Sequence, residues 1–293
     1  MHRAVTIVVG PVHAGIIEPG RFTFSSGGES VAHLDVRLGY SHRGVEEFLT
    51  GRDAIACAPK LARICGACSV ARSWAYARAL EGLAHVECDE TSEYARLIFA
   101  ELERAYNHLF DLGSACAAAG YARGQMAGLH LKERVHRINA EHGGHRFLFD
   151  VVVPGGVRAG ALAQPSRLAA ELHALRSEFE RFAAELFANV SLLRRWSQTG
   201  ALSELQAQRL DLVGPSARAS GGTVDVRQDA PYGAYAASAP NVARAHVGDV
   251  EARCRVKYAE LVESFALIDA ALRALGTHAP GPSQAIVMQA GRT

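Results

Sequence analysis

The sequence lacks any long apolar segment. A membrane-spanning helix needs about eighteen or more uninterrupted apolar residues, and no stretch of this chain approaches that length. A short apolar run, Ala4 to Val9, stops at Gly10-Pro11. It is too short for a secretory signal and is typical of a first β-strand. We therefore expect neither a membrane span nor an export signal.

The chain also lacks an excess of charge of either sign. Its 31 Lys and Arg residues face 30 Asp and Glu residues. This balance leaves no field that would attract nucleic acid or an anionic membrane surface. The 293 residues, 49% of them apolar, are typical of a globular protein with a sizeable core.

Cysteine is scarce, and we expect no disulfide framework. The six cysteines lie at positions 57, 65, 68, 88, 116 and 254. In a chain of this length without an export signal, reduced thiols in the cytoplasm are the default. Only Cys65 and Cys68 are spaced so that they can share a ligand. Cys254 falls in the apolar stripe of a predicted helix and is assigned to the core.

Patterns of strands, turns and helices predict an α+β fold that is mainly α. Strand and turn signals over residues 3–50 predict a small N-terminal antiparallel sheet. Helical spacing then predicts three long helices: one from near residue 91, one from Pro165 to Leu193, and one over 248–275. Their spacing near 3.5 residues is typical of a bundle.

We divide the chain into three segments on these patterns. Residues 1–55 form the sheet region, residues 56–276 form the helical core, and residues 277–293 form a C-terminal tail. The Gly- and Pro-rich stretch from Val213 to Tyr235 is too long for a simple connection. It is therefore a candidate functional loop.

The run Arg63-Ile-Cys-Gly-Ala-Cys68 carries the strongest chemical signal. One turn brings residues i and i+3 to one side, so two sulfurs can bind one metal ion. The preceding Arg63 and the helix predicted to follow are expected to lower the pKa of the thiols. Spacing alone leaves a metal site, a redox pair and structural thiols open. Zinc would want two more ligands, which no second Cys-x-x-Cys supplies.

Eight blocks of sequence, in order along the chain, narrow these alternatives. They are GPVHAG, GYSHRGVEEFLTGRD, LARICGAC, ELERAYNHLFDLG, GHRF followed by VPGGV, GPSARASGG, DVRQDAPYGAY and GDVEARCRVKYAELVES. Together they resemble the large subunit of membrane-associated nickel–iron hydrogenases of the formate-hydrogenlyase and energy-converting types. They also resemble its relative, the hydrogenase-like 49 kDa-type subunit of respiratory complex I. The resemblance covers about residues 8–276.

Two differences from complex I subunits favour the hydrogenase branch of this superfamily. Complex I subunits usually lack the metal-binding cysteines, whereas Cys65 and Cys68 stand here in the hydrogenase pattern. Complex I also usually carries a second histidine in its N-terminal loop, which meets the quinone headgroup, and Ile17 occupies that place here.

The resemblance implies roles for four residues. Cys65 would be a terminal nickel ligand, and Cys68 would bridge nickel and iron. Glu18 occupies the place of a glutamate that passes protons to and from a nickel-bound thiolate, work that suits a carboxyl whose pKa burial raises. Glu46 matches a carboxylate near a structural magnesium site. The alternative for each glutamate is a surface or ion-paired side chain.

Two departures from the family pattern limit the expectation. Arg72 stands where the family commonly has a histidine, and a guanidinium can donate a hydrogen bond but cannot release its proton. The family also has a second Cys-x-x-Cys near its C-terminus, and residues 277–293 contain no cysteine. We therefore expect this chain to supply half of a nickel–iron site and not to be active alone.

The resemblance also implies partners and leaves three functions open. Too few spaced cysteines are present for a four-cysteine cluster, so iron–sulfur clusters would lie in a small partner subunit near the sheet and Cys65. Membrane subunits would hold the complex at the cytoplasmic face of the membrane. The chain would then be an oxidoreductase subunit of the hydrogenase type, a complex I-like subunit contributing to quinone binding, or a non-catalytic assembly or coupling subunit.

Overall fold

The computed structural model describes residues 5–12, 19–276, 278–281 and 283–286. It is 58% helical, with a small antiparallel sheet near the N-terminus followed by long helices, so the α+β, mainly α prediction is confirmed. The chain forms two compact units, residues 1–52 and 53–293. The sequence-based segments at 1–55, 56–276 and 277–293 stay predictions.

The strands and helices have the following bounds. The strands are β1 (Val5–Val9), β2 (Arg21–Gly27), β3 (Ser30–Arg37), β4 (Val152–Val153) and β5 (Gly156–Val157). The helices are α1 (Val45–Leu49), α2 (Ala54–Ala62), α3 (Ser69–Ala84), α4 (Glu90–Ala118), α5 (Ala122–Gly143), α6 (Pro165–Ala188), α7 (Val190–Trp196), α8 (Glu204–Arg209), α9 (Gly214–Ala219), α10 (Val226–Asp229) and α11 (Val250–Leu275), with a 3₁₀ turn at Gly233–Ala236.

The first unit contains the predicted antiparallel sheet in the order β1-β2-β3. Val9 pairs with Phe22, and Phe24 pairs with Leu34, with an irregularity in register at Ser25 and Ser26. The strands lie where the sequence pattern predicted them. Short α1 closes the unit, and its N-cap Gly44 adopts a left-handed backbone with φ 61°, which suits a residue without a Cβ.

Helix α4 is the central element of the second unit. It begins at Glu90 because the carboxylate of Asp89 accepts a hydrogen bond from the Ser92 N–H at 2.9 Å, as an N-cap should. Its apolar stripe is buried from end to end, with Ile98, Leu102 and Leu109 fully inaccessible to solvent. Helices α3, α5 and α11 pack against it, which places this stripe at the centre of the core.

Helix α5 was not predicted from the sequence. Gly124, Gly128 and Gly143 and many charged residues weaken its helical pattern, since glycine disfavours a helix interior. The structure explains one of these glycines through the contact between α4 and α5. A Cβ on Gly128 would lie 2.9 Å from the Cα of Gly113, so the two backbones approach where neither residue has a side chain.

Gly128→Ala is therefore expected to destabilise the second unit. We expect the free energy of unfolding to fall by about 1–3 kcal/mol, because the added methyl group must push two helices apart. Urea denaturation of the full chain measures the change. Gly82→Ala is the matched control: it has open space around its Cβ and should stabilise α3 by about 0.5–1 kcal/mol. Equal effects at both positions would contradict the close approach.

The two remaining long-helix predictions fared differently. The helix after Pro165 was expected to continue to Leu193, but α6 ends at Ala188 and α7 begins at Val190. Asn189 breaks it because its backbone is extended and its side chain accepts from the Leu192 N–H at 3.1 Å. Helix α11 matches the predicted third helix, and Cys254 on it is 4% exposed, which confirms its place in the core.

Within the part of the chain that the structure describes, no helix is both long and apolar enough to cross a membrane.

Candidate metal centre

Cys65 and Cys68 lie in a single turn between α2 and α3, which we call the cysteine turn (residues 65–68). The Cys68 N–H donates to the Cys65 carbonyl at 3.3 Å. Cys68 is also the N-cap residue of α3. Both thiols are half-buried, and neither is in a disulfide bond. The structure thus places the two sulfurs on one short turn, as the spacing predicted.

Arg72 is the cation that acts on the cysteine turn. Its Nε donates to the Cys68 Sγ at 3.1 Å, one helical turn along α3. Arg72 therefore donates a hydrogen bond to this cysteine, as the sequence predicted that a guanidinium at this position can do. Arg63 instead donates to the two carboxylate oxygens of Asp150 at 2.6 and 2.5 Å.

The expectation of a lowered thiol pKa is wrong for Cys68. Burial raises the pKa of the Cys68 thiol above its usual range, and the hydrogen bond from Arg72 offsets part of that effect. Burial destabilises the charged thiolate more than the hydrogen bond from the partly exposed Arg72 stabilises it. A metal ion would supply the missing positive charge, because a coordinating thiol is deprotonated by the ion itself.

Three side chains of α4 form hydrogen bonds with the cysteine turn and with the residues that follow it. The Tyr106 hydroxyl donates to the Gly66 carbonyl at 2.7 Å, and the Asn107 amide donates to the Ala67 carbonyl at 2.5 Å. Glu103 accepts from the Val70 N–H at 2.7 Å and the Ala71 N–H at 3.0 Å. Sequence reasoning missed these three residues. Their i, i+3, i+4 spacing on one helix face was the available signal.

A cavity of about 520 Å³ lies beside the first turns of α3. It is lined by Glu103, Arg104 and His108 of α4, by Trp74 and Arg78 of α3, and by Tyr232 and Tyr235, among others. The stretch from Val213 to Tyr235, predicted as a functional loop, thus contributes two tyrosines to this wall.

Four of the sequence blocks meet in one buried ionic network behind the cavity. Arg227 donates to Glu101 at 2.9 Å, and Arg218 donates to Glu260 at 2.6 Å. The His108 ring is 2.7 Å from the other oxygen of Glu260. All five side chains are under 10% exposed. Motifs far apart in sequence therefore converge on shared structural contacts.

The sequence also predicted functional importance for Glu18, Ile17 and Glu46. Glu18 and Ile17 lie outside the described residues. Glu46 is exposed on α1, where its backbone carbonyl accepts from Thr50. The roles predicted for Glu18 in proton transfer and for Glu46 in magnesium binding stay predictions.

The described residues contain a second group of ligand-type side chains, at Glu81, Cys88 and Glu93. Arg96 occupies it: the guanidinium donates to Glu81 at 2.5 Å and to Glu93 at 3.1 Å. Burial raises the pKa of the Cys88 thiol to about 12. An internal arginine thus already pairs with both carboxylates. No group of three or more such side chains within 4.8 Å includes Cys65 or Cys68 among the residues that the structure describes.

Comparison with known proteins identifies the family. The family described as the 49 kDa subunit of respiratory-chain NADH dehydrogenase matches residues 119–290. The chain belongs to this family. Its relatives include the membrane-bound hydrogenase subunit alpha of Pyrococcus furiosus, 32% identical over 284 residues, which covers 92% of this chain and 65% of the relative. They also include formate hydrogenlyase subunit 5 of Escherichia coli, 30% identical over 90% of this chain and 47% of the relative.

Both branches of the predicted superfamily are represented among these relatives, which confirms the resemblance. The D-type subunit of NADH-quinone oxidoreductase from Ehrlichia ruminantium is 27% identical over 92% of this chain and 68% of the relative. The chain spans about half to two thirds of the length of the two hydrogenase-type relatives. The membrane-bound sulfane sulfur reductase, described as an archaeal respiratory membrane complex, contains a chain that shares the fold, with a TM-score of 0.85, 24% identity, and 98% of this chain and 76% of that chain covered.

Proposed function

We propose that this chain is the large subunit of a membrane-associated hydrogenase-type oxidoreductase complex and supplies two thiolates of its nickel–iron centre. The observation that carries the proposal is the cysteine turn: two half-buried thiols on one turn. The relatives named membrane-bound hydrogenase and formate hydrogenlyase subunits support the same branch.

The residues present fit one half of such a centre. Thiolates are the ligands that nickel and iron prefer in sites of this kind. Cys65 and Cys68 would hold the metal from one side, and the other ligands would come from chain beyond the described residues or from a partner. When bound, the metal centre would supply the redox chemistry of hydrogen and proton interconversion.

The contribution of the protein residues is to position the two sulfurs. Arg72 donates a hydrogen bond to the Cys68 sulfur, and its positive charge favours the thiolate form of that residue. The α4 side chains fix the peptide carbonyls of the turn. Glu18 is proposed to pass protons, and Glu46 is proposed to lie near a magnesium ion.

The partners belong to the same proposal. A small iron–sulfur subunit would carry electrons to and from the site, and membrane subunits would attach the complex to the cytoplasmic face. Relatives named as membrane-bound subunits, and a structural neighbour described as a respiratory membrane complex, support a complex of this kind. The exposed apolar side chains of β1, Val5, Ile7 and Val8, suit the sheet region as a docking surface for the small subunit.

Hydrogen uptake tests the proposal directly. The complex purified through a tag on this chain should oxidise hydrogen with an artificial electron acceptor, and a quinone-site inhibitor should leave that reaction unchanged. A complex that oxidises no hydrogen would contradict the hydrogenase function. The second candidate is a quinone-reducing, complex I-like subunit, which the likeness to the NADH-quinone oxidoreductase relative favours. In that case the inhibitor should block physiological turnover.

A further inference from the structure

Helix α3 begins without a cap of its own. The side chain of its N-cap residue, Cys68, accepts no hydrogen bond from a backbone N–H of the helix, and the first turn contains no acidic residue. The first N–H groups of a helix have no partner within it and need one from elsewhere. Here those groups follow directly on a proposed metal ligand.

Glu103 of α4 supplies the missing cap from a distant part of the sequence. One oxygen accepts from the Val70 N–H at 2.7 Å, and the other accepts from the Ala71 N–H at 3.0 Å. The Ser69 hydroxyl lies 3.1 Å from the first oxygen, and its single hydrogen has the Phe147 carbonyl as a closer acceptor. The carboxylate therefore meets two backbone donors in the first turn of α3. The positive end of the helix dipole favours a negative charge at this place.

The environment of Glu103 shows that this contact is costly to maintain. The side chain is 5% exposed, and the charge of Arg104 favours its ionised form less than the hydrogen bonds from α3 do. Burial raises its pKa to about 7, even though the Val70 and Ala71 N–H groups favour the charged form. A buried carboxylate is unfavourable unless it is hydrogen-bonded, so the hydrogen bonds to α3 are its main compensation.

Two neighbours on the same face of α4 complete the arrangement. Tyr106 and Asn107 donate to the carbonyls of Gly66 and Ala67, inside the cysteine turn, while Glu103 accepts from the residues just after it. Helix α4 therefore fixes the turn at two of its carbonyl groups and fixes the N–H groups of the residues that follow it. A turn fixed in this way needs little reorganisation when a metal ion binds to its cysteines.

We propose that Glu103 is a positioning residue that sets the cysteine turn and keeps the two sulfurs in place before any metal ion binds. The importance of this for a nickel–iron centre rests on the proposed function, whereas the positioning itself does not. Its effect on metal binding acts through the backbone that follows the turn, since Glu103 accepts from the Val70 and Ala71 N–H groups and does not bond to a sulfur.

The experiment compares Glu103→Gln with the wild-type full chain, free of metal. An amide side chain keeps the size of Glu but presents an NH₂ group to donors that need an acceptor. We expect alkylation of Cys68 by iodoacetamide to accelerate by about tenfold to a hundredfold, which corresponds to the loss of one or two charge-assisted hydrogen bonds. Hydrogen exchange at the Val70 and Ala71 amides should accelerate similarly, while the amides of α11 should keep their rates.

Conservative variants separate positioning from a general loss of stability. Glu103→Asp retains the charge with a shorter reach and should give intermediate rates. Glu90→Gln, at an exposed position in the first turn of the same helix, should leave the turn unchanged. If Glu103→Gln does not fold, Asn107→Ala tests the other part of the arrangement at a half-buried side chain, and we expect a smaller acceleration in the same direction.

Two results would overturn the proposal: unchanged rates at Cys68, Val70 and Ala71 in Glu103→Gln, or an equal acceleration in α11. Nickel content, measured separately on the purified complex, distinguishes this outcome from failure of the proposed function. If the wild-type complex contains no nickel but Glu103→Gln still loosens the turn, the proposed function fails and the positioning stands. If nickel is present and the turn is unaffected, the reverse holds.

Discussion

Cys68→Ser is expected to remove nickel from the complex and to reduce its hydrogen uptake by more than about a hundredfold, because losing a ligand exceeds the tenfold to hundredfold cost of losing an outer hydrogen-bond partner. A hydroxyl is a poor ligand for a soft metal site. It would also replace the sulfur that accepts from Arg72. Metal analysis and an assay with an artificial acceptor measure both effects on one preparation.

Cys254→Ala is the matched control for this prediction. Cys254 is buried on α11, and burial raises the pKa of its thiol to about 12, so it acts as an apolar core residue. The variant should lose some stability because a small cavity forms, but it should retain nickel and hydrogen uptake. Full retention of nickel in Cys68→Ser would contradict the assignment of that residue.

Glu101→Gln is expected to destabilise the fold more than Gly128→Ala does, lowering the free energy of unfolding by about 3–5 kcal/mol. Glu101 is fully buried. It accepts from Arg227 at 2.9 Å, from Tyr235 at 2.5 Å and from Ser264 at 2.5 Å. Neutralising it leaves the Arg227 charge without part of its compensation in the interior, and an uncompensated buried charge is strongly unfavourable.

The pH dependence of this effect has a definite sign. Burial alone would raise the pKa of Glu101, but Arg104, Arg227 and its hydrogen bonds hold it below the usual range. A lowered pKa means that the contribution is present above the pKa of an unfolded glutamate, about 4.3, and is lost as the pH falls through the folded value. Urea denaturation should therefore show a constant difference between wild type and variant from about pH 6 to 8, and a smaller one under strong acid.

Glu90→Gln serves again as the control on the same helix, because Glu90 is exposed. We expect its free energy of unfolding to lie within about 0.5 kcal/mol of wild type. A Glu101→Gln variant as stable as Glu90→Gln would show that the buried network contributes little to folding.

The sequence predicted those features that local pattern determines. The period-two alternation indicated the sheet, and the stripe Ile98, Leu102, Leu109 indicated α4. Helix α5 was missed because its glycines serve a contact with α4 that no local pattern shows. The break at Asn189 was missed because apolar spacing continued through it while a single capping side chain ended the helix.

The same division holds for the candidate metal centre. The spacing of Cys65 and Cys68 predicted their shared turn, since they stand three positions apart in the chain. The direction of the Cys68 pKa shift was predicted wrongly, because the burial of this thiol depends on the surrounding fold and not on its neighbours in the sequence. The roles of Glu103, Tyr106 and Asn107 were missed because the sequence shows that they share a helix face but does not show the backbone they bond to, which lies 32 to 40 residues earlier.

The most direct test of the account is X-ray absorption at the nickel edge of the purified complex, for wild type and for the paired variant Cys65→Ser with Cys68→Ser. The account predicts nickel with sulfur ligands in the wild-type complex, and loss of nickel or of part of its sulfur coordination in the variant. Absence of nickel from the wild-type complex, or identical sulfur coordination in both, would contradict it.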